Sequence, residues 1–186
     1  SNGDLTLTSS SVSNNTAGVD GGGLHVSGVS DVSATFTTLD SNTASGQGGG
    51  IFQSSTGTVE ITSSTVSRNT AASGGGIYSE EGFSFLNSTL STNTATGNGG
   101  GLHNNDTSNN GLNVSLESAT IFGNTAGGTG GGVQNDSLSG PVNVRNTIIA
   151  RNSAPTDVDV SGVQFASQGN NLIGDRGSVT SFVDGI

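Results

Sequence analysis

The chain has 186 residues, of which 29% are hydrophobic and 10% charged, and its 14 acidic residues against 4 arginines give a net charge of −10. This acidic balance, with no lysine, excludes the basic surface that nucleic acids and anionic lipids require. The chain has no cysteine for a disulfide or thiolate metal site, and no apolar run reaches the roughly 20 residues of a membrane-spanning helix. We therefore predict no nucleic-acid partner and no direct membrane insertion.

A repeat organises the whole chain. An Asn-Thr-Ala tripeptide, replaced by Asn-Ser-Ala in its last copy, begins at Asn15, Asn42, Asn69, Asn93, Asn124 and Asn152. A triple glycine follows each of the first five copies. Repeats of this length are typical of solenoids, in which one repeat is too small to bury an apolar face alone.

Each repeat begins with a strand pattern. Apolar residues lie ten, eight and three positions before the asparagine, as Val59, Ile61 and Val66 do before Asn69. Their alternation with polar residues predicts short, half-buried strands. After each glycine triplet another apolar residue, such as Ile77, begins a further strand. Each repeat is thus predicted to hold two or three short strands separated by polar turns.

Stacking these repeats coil on coil pairs the strands at about 4.8 Å, and a narrow core then needs few apolar residues per coil. We predict an all-β fold, a right-handed parallel β-helix (three-sided β-solenoid) of about six to seven coils, with the handedness set by the general crossover preference. The chain 1–186 would be a single domain. Its predicted coils are 1–28, 29–55, 56–80, 81–110, 111–140 and 141–160, with 161–186 as a final irregular coil.

The six asparagines are predicted to stack in one column at a tight bend. A side-chain amide both donates and accepts hydrogen bonds, so it can satisfy backbone groups at the bend and bond to the amide of the next coil. We interpret this column as a structural ladder rather than as a ligand site.

A second column follows the apolar residue of the glycine strand and consists of His25, Phe52, Tyr78, His103 and Gln134. Because side chains alternate along a strand, we expect this column to point outward as an exposed, partly aromatic ridge. One interpretation is a binding ridge for a protein or a glycan. The other is aromatic stacking between neighbouring coils.

If the protein is an enzyme, its candidate catalytic residues are Asp157, Asp159 and Asp175. Asp157 and Asp159 would share one face of a strand, where carboxylates serve as general acid and base or hold Ca²⁺. Few arginines, one tyrosine and no tryptophan make a poor groove for acidic sugars. The alternative is a solvated acidic turn, since Asp157 to Asp159 stand where the glycine triplet is missing. We predict no cofactor, with Ca²⁺ at Asp157 and Asp159 as the weaker alternative.

The repeats resemble the parallel β-helix repeats of secreted bacterial surface proteins, which have the pectate-lyase-like fold. They are similar to polymorphic outer membrane protein repeats, with their Gly-Gly-Ala-[Ile/Leu/Val] and Phe-x-x-Asn signatures. Here glycine replaces that alanine, and an aliphatic residue replaces that phenylalanine, as Val66 does before Asn69. The segments 146–152 and 169–175 resemble the end of the β-helix in choice-of-anchor surface proteins. The resemblance implies an extracellular or cell-surface location and brings no catalytic motif.

We therefore predict a non-catalytic extracellular structural module: a rigid cell-surface rod, scaffold or filament subunit. The alternatives are a glycan- or protein-binding adhesin that uses the exposed face, and a polysaccharide lyase or hydrolase of the β-helix type. Neither end of the sequence shows a polar cap. The expected partners are therefore flanking coils of a longer protein or a second copy stacked end to end.

Overall fold

The computed structural model describes residues 3–108, 111–138, 140–180 and 182, and all regular secondary structure in these ranges is β-strand. The strands form four sheets, and every pairing between strands is parallel and joins successive coils. The predicted all-β parallel solenoid is therefore confirmed. Within the described ranges, no helix has the length and apolar character needed to cross a membrane.

The strands follow one another around the coils in a constant order. The first three coils contain β1 (Leu5–Thr8), β2 (Ser11–Ser13), β3 (Thr16–Ala17), β4 (Leu24–Gly28), β5 (Val32–Thr35), β6 (Thr38–Asp40), β7 (Thr43–Ala44), β8 (Ile51–Ser55), β9 (Val59–Thr62), β10 (Thr65–Ser67), β11 (Thr70–Ala71) and β12 (Ile77–Ser79). The next two contain β13 (Ser84–Leu86), β14 (Thr89–Ser91), β15 (Thr94–Ala95), β16 (Leu102–Asn104), β17 (Val114–Glu117), β18 (Thr120–Phe122), β19 (Thr125–Ala126) and β20 (Val133–Asn135). The last strands are β21 (Val142–Arg145), β22 (Ile148–Ala150), β23 (Val160–Gly162), β24 (Phe165–Ser167) and β25 (Leu172–Ile173). Strand β23 crosses the coil boundary that the sequence placed at residue 160.

In the described residues, each of the first five coils has four strands, where the sequence predicted two or three. Sheet A joins the first strands of the coils from β1 to β24, and sheet B joins the second strands from β2 to β25. Sheet C joins the two-residue strands from β3 to β19, and sheet D joins the strands after the glycines from β4 to β23. Sheets B and C are separate because the residue before each ladder asparagine has a positive φ, such as +54° at Arg68, which interrupts an extended strand.

The core is a single cluster made of the predicted apolar columns. Val66 pairs with Leu39 and Leu90 in the neighbouring coils, and all three side chains are buried. Phe85, in sheet A, is fully buried in the same cluster. A few apolar residues per coil therefore suffice, because the coils above and below complete their burial.

The glycine triplets make a bend and a close approach between coils. Gly48, the first of its triplet, has φ +65°, a backbone conformation that residues other than glycine rarely adopt. A Cβ on Gly49 would lie 2.4 Å from the carbonyl oxygen of Gly75 in the next coil. These two requirements explain the triplet as a backbone feature rather than a phosphate-binding loop.

The two ends of the described solenoid differ in how their apolar residues are covered. In the first coil, Leu5 is 37% exposed and Val12 is only partly buried. In the last coil, Phe165 is buried and stacks with Phe182 at a ring distance of 5.0 Å. Val179 is buried beside them in the same cluster. The segment that follows β25 therefore covers the core at this end.

Candidate functional site

The six asparagines lie on one line along the corner between sheets B and C. In the first five, the side-chain Nδ2 and the backbone N–H both donate to Oδ1 of the next asparagine, over 2.9–3.1 Å. From Asn42 onward, Nδ2 also donates to a sheet B carbonyl of the preceding coil, over 2.9–3.2 Å. Asn42, Asn69, Asn93 and Asn124 are completely buried. A ligand therefore cannot reach these four amides, whereas Asn15, in the first coil, is exposed.

The amide ladder ends on a carboxylate. Asp159 is buried, and its Oδ1 accepts hydrogen bonds from the backbone N and from Nδ2 of Asn152 at 2.9 and 2.8 Å. Its Oδ2 accepts the backbone N–H of Asp175 at 2.7 Å. The side chain of Asp159 therefore occupies the next rung of the ladder.

A second polar column, which the sequence interpretation missed, lies at the corner between sheets A and B. Thr37, Ser64 and Ser88 are buried there, and each hydroxyl donates to a carbonyl of its own coil at 2.7–3.1 Å. The hydroxyls of Ser64 and Ser88 accept the backbone N–H of the residue one coil earlier at 3.0 Å. The column continues with Ala119, Thr147 and Asn171. Its signal was a Ser or Thr five positions before five of the six asparagines, with Ala119 before the remaining one, so no single residue type marked the column.

The predicted ridge forms a continuous row on the outer side of sheet D, in register through β4, β8, β12, β16 and β20. Its rings are in contact: centroid distances are 4.9 Å for His25–Phe52, 5.8 Å for Phe52–Tyr78 and 5.0 Å for Tyr78–His103. This geometry matches the stacking interpretation, in which each ring packs on the ring of the next coil.

The prediction that this row is exposed is wrong for four of its five members. Only His25 is exposed, whereas Phe52, Tyr78, His103 and Gln134 are between 3% and 7% exposed. Alternation along a strand decides which way a side chain points, but it does not decide whether other groups cover it. Here side chains from the turns lie on the row. Asn105 donates to the Tyr78 hydroxyl at 2.9 Å, and Asp136 contacts His103.

Carboxylates surround the buried part of the row. Burial raises the pKa of Tyr78, and the negative charges of Glu80, Asp136 and Asp20 act in the same direction. Burial also raises the pKa of Glu80, with Asp20 and Glu81 as repelling neighbours. The hydrogen bond with His103, 2.9 Å from Nε2 to Oδ2, holds the pKa of Asp136 below its usual value.

A chain of hydrogen bonds continues from this pair. Gln134 Nε2 donates to Asp136 Oδ1 at 2.5 Å, and Thr129 Oγ1 donates to Gln134 Oε1 at 2.8 Å. Nδ1 of His103 is buried and has no partner among the described residues. The four side chains come from β16, from β20 and from the turns on either side of β20.

The three candidate catalytic aspartates are close in the fold but do not form the predicted pair. Asp157 lies in a bend with φ +50° rather than in a strand, so it does not share a strand face with Asp159. Asp157 lies three residues before Val160, as Gly130 does before the paired Val133, and both have a positive φ, so Asp157 replaces the first glycine of the missing triplet. Its carboxylate accepts the N–H and the hydroxyl of Ser178 at 2.7 and 3.0 Å.

The remaining candidate, Asp175, is exposed, and its Oδ1 accepts the N–H of Gly177 at 2.8 Å. All three carboxylates thus have donors within the chain. Among the described residues, no three His, Asp or Glu side chains are arranged to hold a metal ion. Ca²⁺ binding by Asp157 and Asp159 stays an untested prediction, and the burial of Asp159 in the ladder opposes it.

Two shallow clefts lie elsewhere on the surface. One, of about 200 Å³, lies between the turns at 56–58 and 111–113, with Val59 and Phe83 on its floor. The other, of about 250 Å³, lies beside Leu5 and His25 on the first coil. Both are smaller than typical ligand pockets.

These features define a parallel β-solenoid repeat protein. The model of the Chlamydia polymorphic membrane protein repeat matches residues 36–54 and 63–80, which lie in the second and third coils. This match confirms the resemblance to polymorphic outer membrane protein repeats for a minor part of the chain. No similar curated protein and no similar solved structure were found. The resemblance of the final coils to choice-of-anchor proteins stays a prediction.

Proposed function

We propose that the chain is a non-catalytic structural module that acts as a rigid rod or scaffold at the bacterial cell surface. The buried amide ladder carries this proposal. It joins each coil to the next through side chains as well as through strands, so displacing one coil breaks bonds on both neighbours. Such coupling stiffens a solenoid along its axis.

The family match supports the location. Repeats of the Chlamydia polymorphic membrane protein type indicate a surface-associated repeat protein, and we extend this to an extracellular or cell-surface location for the present chain. The proposed partners are flanking coils of the same protein or a second copy stacked end to end, because open strand edges pair with further strands. The covered core around Phe165 and Phe182 makes the first coil the more favourable surface for such stacking.

A label-distance measurement tests the rod. The chain has no cysteine, so Thr16→Cys and Ser153→Cys place two spin labels on exposed positions of one column. The labelled positions lie five coil steps apart, roughly 24 Å at the strand spacing. Deleting residues 59–82 removes one coil and should shorten the distance by about 5 Å while the chain stays folded. A folded deletion variant with an unchanged or broad distance distribution would contradict a modular rod.

The proposal also excludes catalysis. The carboxylates of Asp157, Asp159 and Asp175 accept hydrogen bonds from backbone groups of the same chain, and the two clefts described above are small. Incubation with polyuronates, with and without Ca²⁺, should therefore give no new reducing ends and no unsaturated products. Turnover that disappears in Asp157→Ala would overturn the non-catalytic assignment.

The adhesin alternative receives support from a different surface than the predicted ridge. On the outer side of sheet B, Ile148 and Leu172 pair in register and are 43% and 60% exposed. Phe122, one coil earlier, is 42% exposed. The strand position that Ile148 and Leu172 share is Ser or Thr in the five preceding coils. Exposed apolar side chains on adjacent strands favour a protein partner.

A binding screen separates the two candidate functions. Immobilised extracellular proteins and glycans are probed with the intact chain, with Ile148→Thr/Leu172→Thr and with the control Val29→Thr, whose native side chain is also exposed. The adhesin alternative predicts a partner whose binding is lost only in the double variant. Binding that the double variant retains, or none to any probe, favours the scaffold.

A further inference from the structure

The hydrogen-bonded chain Thr129–Gln134–Asp136–His103 holds a hydroxyl against a carboxamide. Thr129 Oγ1 lies 2.8 Å from Gln134 Oε1, one bond from the amide carbon. The carboxamide is buried, since Gln134 is 5% exposed and His103 is 7% exposed, whereas Thr129 is half-buried and Asp136 is exposed. A hydroxyl fixed in this way gains the advantage of an intramolecular reaction, in which orientation replaces collision.

The nitrogen of the same carboxamide, which would be the leaving group, is also held by a hydrogen bond. Gln134 Nε2 already donates to Asp136 Oδ1, and the second oxygen of Asp136 is fixed by His103 at 2.9 Å. The same hydrogen bond with His103 lowers the pKa of Asp136. The carboxylate of Asp136 therefore holds the nitrogen that would leave, whereas Thr129 Oγ1 lies at the carbonyl oxygen of the same carboxamide.

We propose that Thr129 and Gln134 form an intramolecular ester crosslink. Thr129 Oγ1 adds to Cδ of Gln134, which forms the C–O bond, and the C–N bond of the carboxamide then breaks. The proton of the hydroxyl passes to Oε1, to which Thr129 already donates, and then to the leaving nitrogen, which departs as ammonia. The atoms balance without an oxidant, reductant or cofactor.

The pairing occurs in one coil only. Thr129 lies just before the glycine bend, and Gln134 lies in the sheet D row five residues later. The corresponding pairs in the other coils are Asp20 and His25, Gln47 and Phe52, Ser73 and Tyr78, Asn98 and His103, and Thr156 and Ser161. None of these combines a hydroxyl with a carboxamide. The ester would close the bend of Gly130 to Gly132 covalently and fix the geometry of the fifth coil.

Intact-mass spectrometry of the folded chain tests the proposal. The expected mass is lower than the sequence mass by one ammonia molecule, and fragmentation should give no backbone ions between residues 129 and 134. Hydroxylamine, which cleaves esters, should remove the crosslink. The full sequence mass after prolonged incubation of the folded protein overturns the proposal.

Matched variants assign the mass change to this site. Thr129→Val keeps the shape but lacks the nucleophile, and Asp136→Asn removes the carboxylate that holds the leaving nitrogen, so both should restore the full mass or slow the loss of ammonia at least tenfold. Thr129→Ser retains a hydroxyl and should retain the crosslink. Ser73→Ala, at the corresponding bend two coils earlier, should leave it unchanged. An ammonia loss that persists in Thr129→Val arises elsewhere and also overturns the proposal.

Discussion

The two polar corners of the solenoid solve the same problem with different groups. At the corner between sheets B and C, an asparagine stands in all six coils, and its amide bonds to the amide of the next coil. At the corner between sheets A and B, the side chain is a hydroxyl in most coils, an amide at Asn171 and a methyl at Ala119. We call these the amide corner and the hydroxyl corner.

The difference follows from what each group bonds to. An amide has both donors and an acceptor, so each rung of the amide corner needs a side-chain oxygen on the next rung, which an asparagine or, at the end, Asp159 provides. A hydroxyl accepts one backbone N–H and donates to a carbonyl of its own coil, as Ser64 does. The hydroxyl itself needs no side chain of the next coil, so a change at one rung removes an acceptor from one backbone N–H but leaves the other side chains paired. A position that keeps one residue type in every coil therefore indicates that its side chains bond directly to the side chains of the next coil.

The largest effect is expected at the amide corner. Asn93→Ala removes the acceptor of two Asn69 donors and the donors to Asn124 Oδ1 and Val66 O, all buried. Leaving such groups unsatisfied should lower the free energy of unfolding by roughly 3–5 kcal/mol. Chemical denaturation measures this loss. A loss below about 1 kcal/mol would show that the amide corner does not couple the coils.

At the hydroxyl corner of the same coil, Ser88→Ala should cost less. It removes the acceptor of the Ser64 N–H and the donor to the Leu86 carbonyl, and no other side chain loses a partner. We expect about 1.5 kcal/mol by the same denaturation experiment. Equal losses in Ser88→Ala and Asn93→Ala would remove the distinction between the corners.

The sequence predicted the amide corner because one residue type repeats there, and the solenoid followed from the apolar columns. It missed the hydroxyl corner because Thr37, Ser88 and Ala119 do not form a uniform column, although their position is constant. It also gave the direction of Phe52 and Tyr78 correctly but not their burial, which depends on turns such as the one holding Asn105. Contacts made by turns are set by tertiary structure, so local periodicity carries no signal for them.

The backbone before the hydroxyl corner offers a stabilising change. Phe36 has φ +52° and is 64% exposed, whereas Ser or Asn occupies the corresponding place in the other coils. Asparagine tolerates the left-handed conformation better than phenylalanine. Phe36→Asn should therefore raise the free energy of unfolding by about 1 kcal/mol, while the control Ser63→Asn should change little. A destabilised Phe36→Asn variant would show that the ring makes a contact worth more than the strain.

The missing hydroxyl can be restored. Ala119 provides no acceptor for the coil before it, whereas Thr147 accepts the N–H of Ala119 at 3.2 Å. Ala119→Ser should add an acceptor facing Ser88 and raise the free energy of unfolding by about 0.5 kcal/mol. Thermal and chemical denaturation of this variant and of the unchanged chain measure the difference in the free energy of unfolding. Destabilisation would mean that the fifth coil has adapted its packing to the methyl group.

The smallest effect is a pH dependence beside the amide corner. Burial alone would raise the pKa of Asp40, but hydrogen bonds from Ser67, Arg68 and Ser41 outweigh it, so the pKa is lowered from 3.8. A depressed native pKa stabilises the fold above the unfolded value, and this stabilisation is lost as pH falls through the native value. Asp40→Asn should therefore be less stable at neutral pH and flatten the decline below about pH 4. Parallel pH profiles for the two proteins would exclude this contribution.

Hydrogen exchange of the asparagine side chains, followed by NMR, tests the central claim that buried amides couple successive coils. The side-chain NH₂ protons of Asn42, Asn69, Asn93 and Asn124 should exchange as slowly as the backbone amides of the sheet B strands. The exposed amide of Asn14 provides the fast-exchanging reference. Exchange of the four buried amides at the rate of Asn14 would contradict the account.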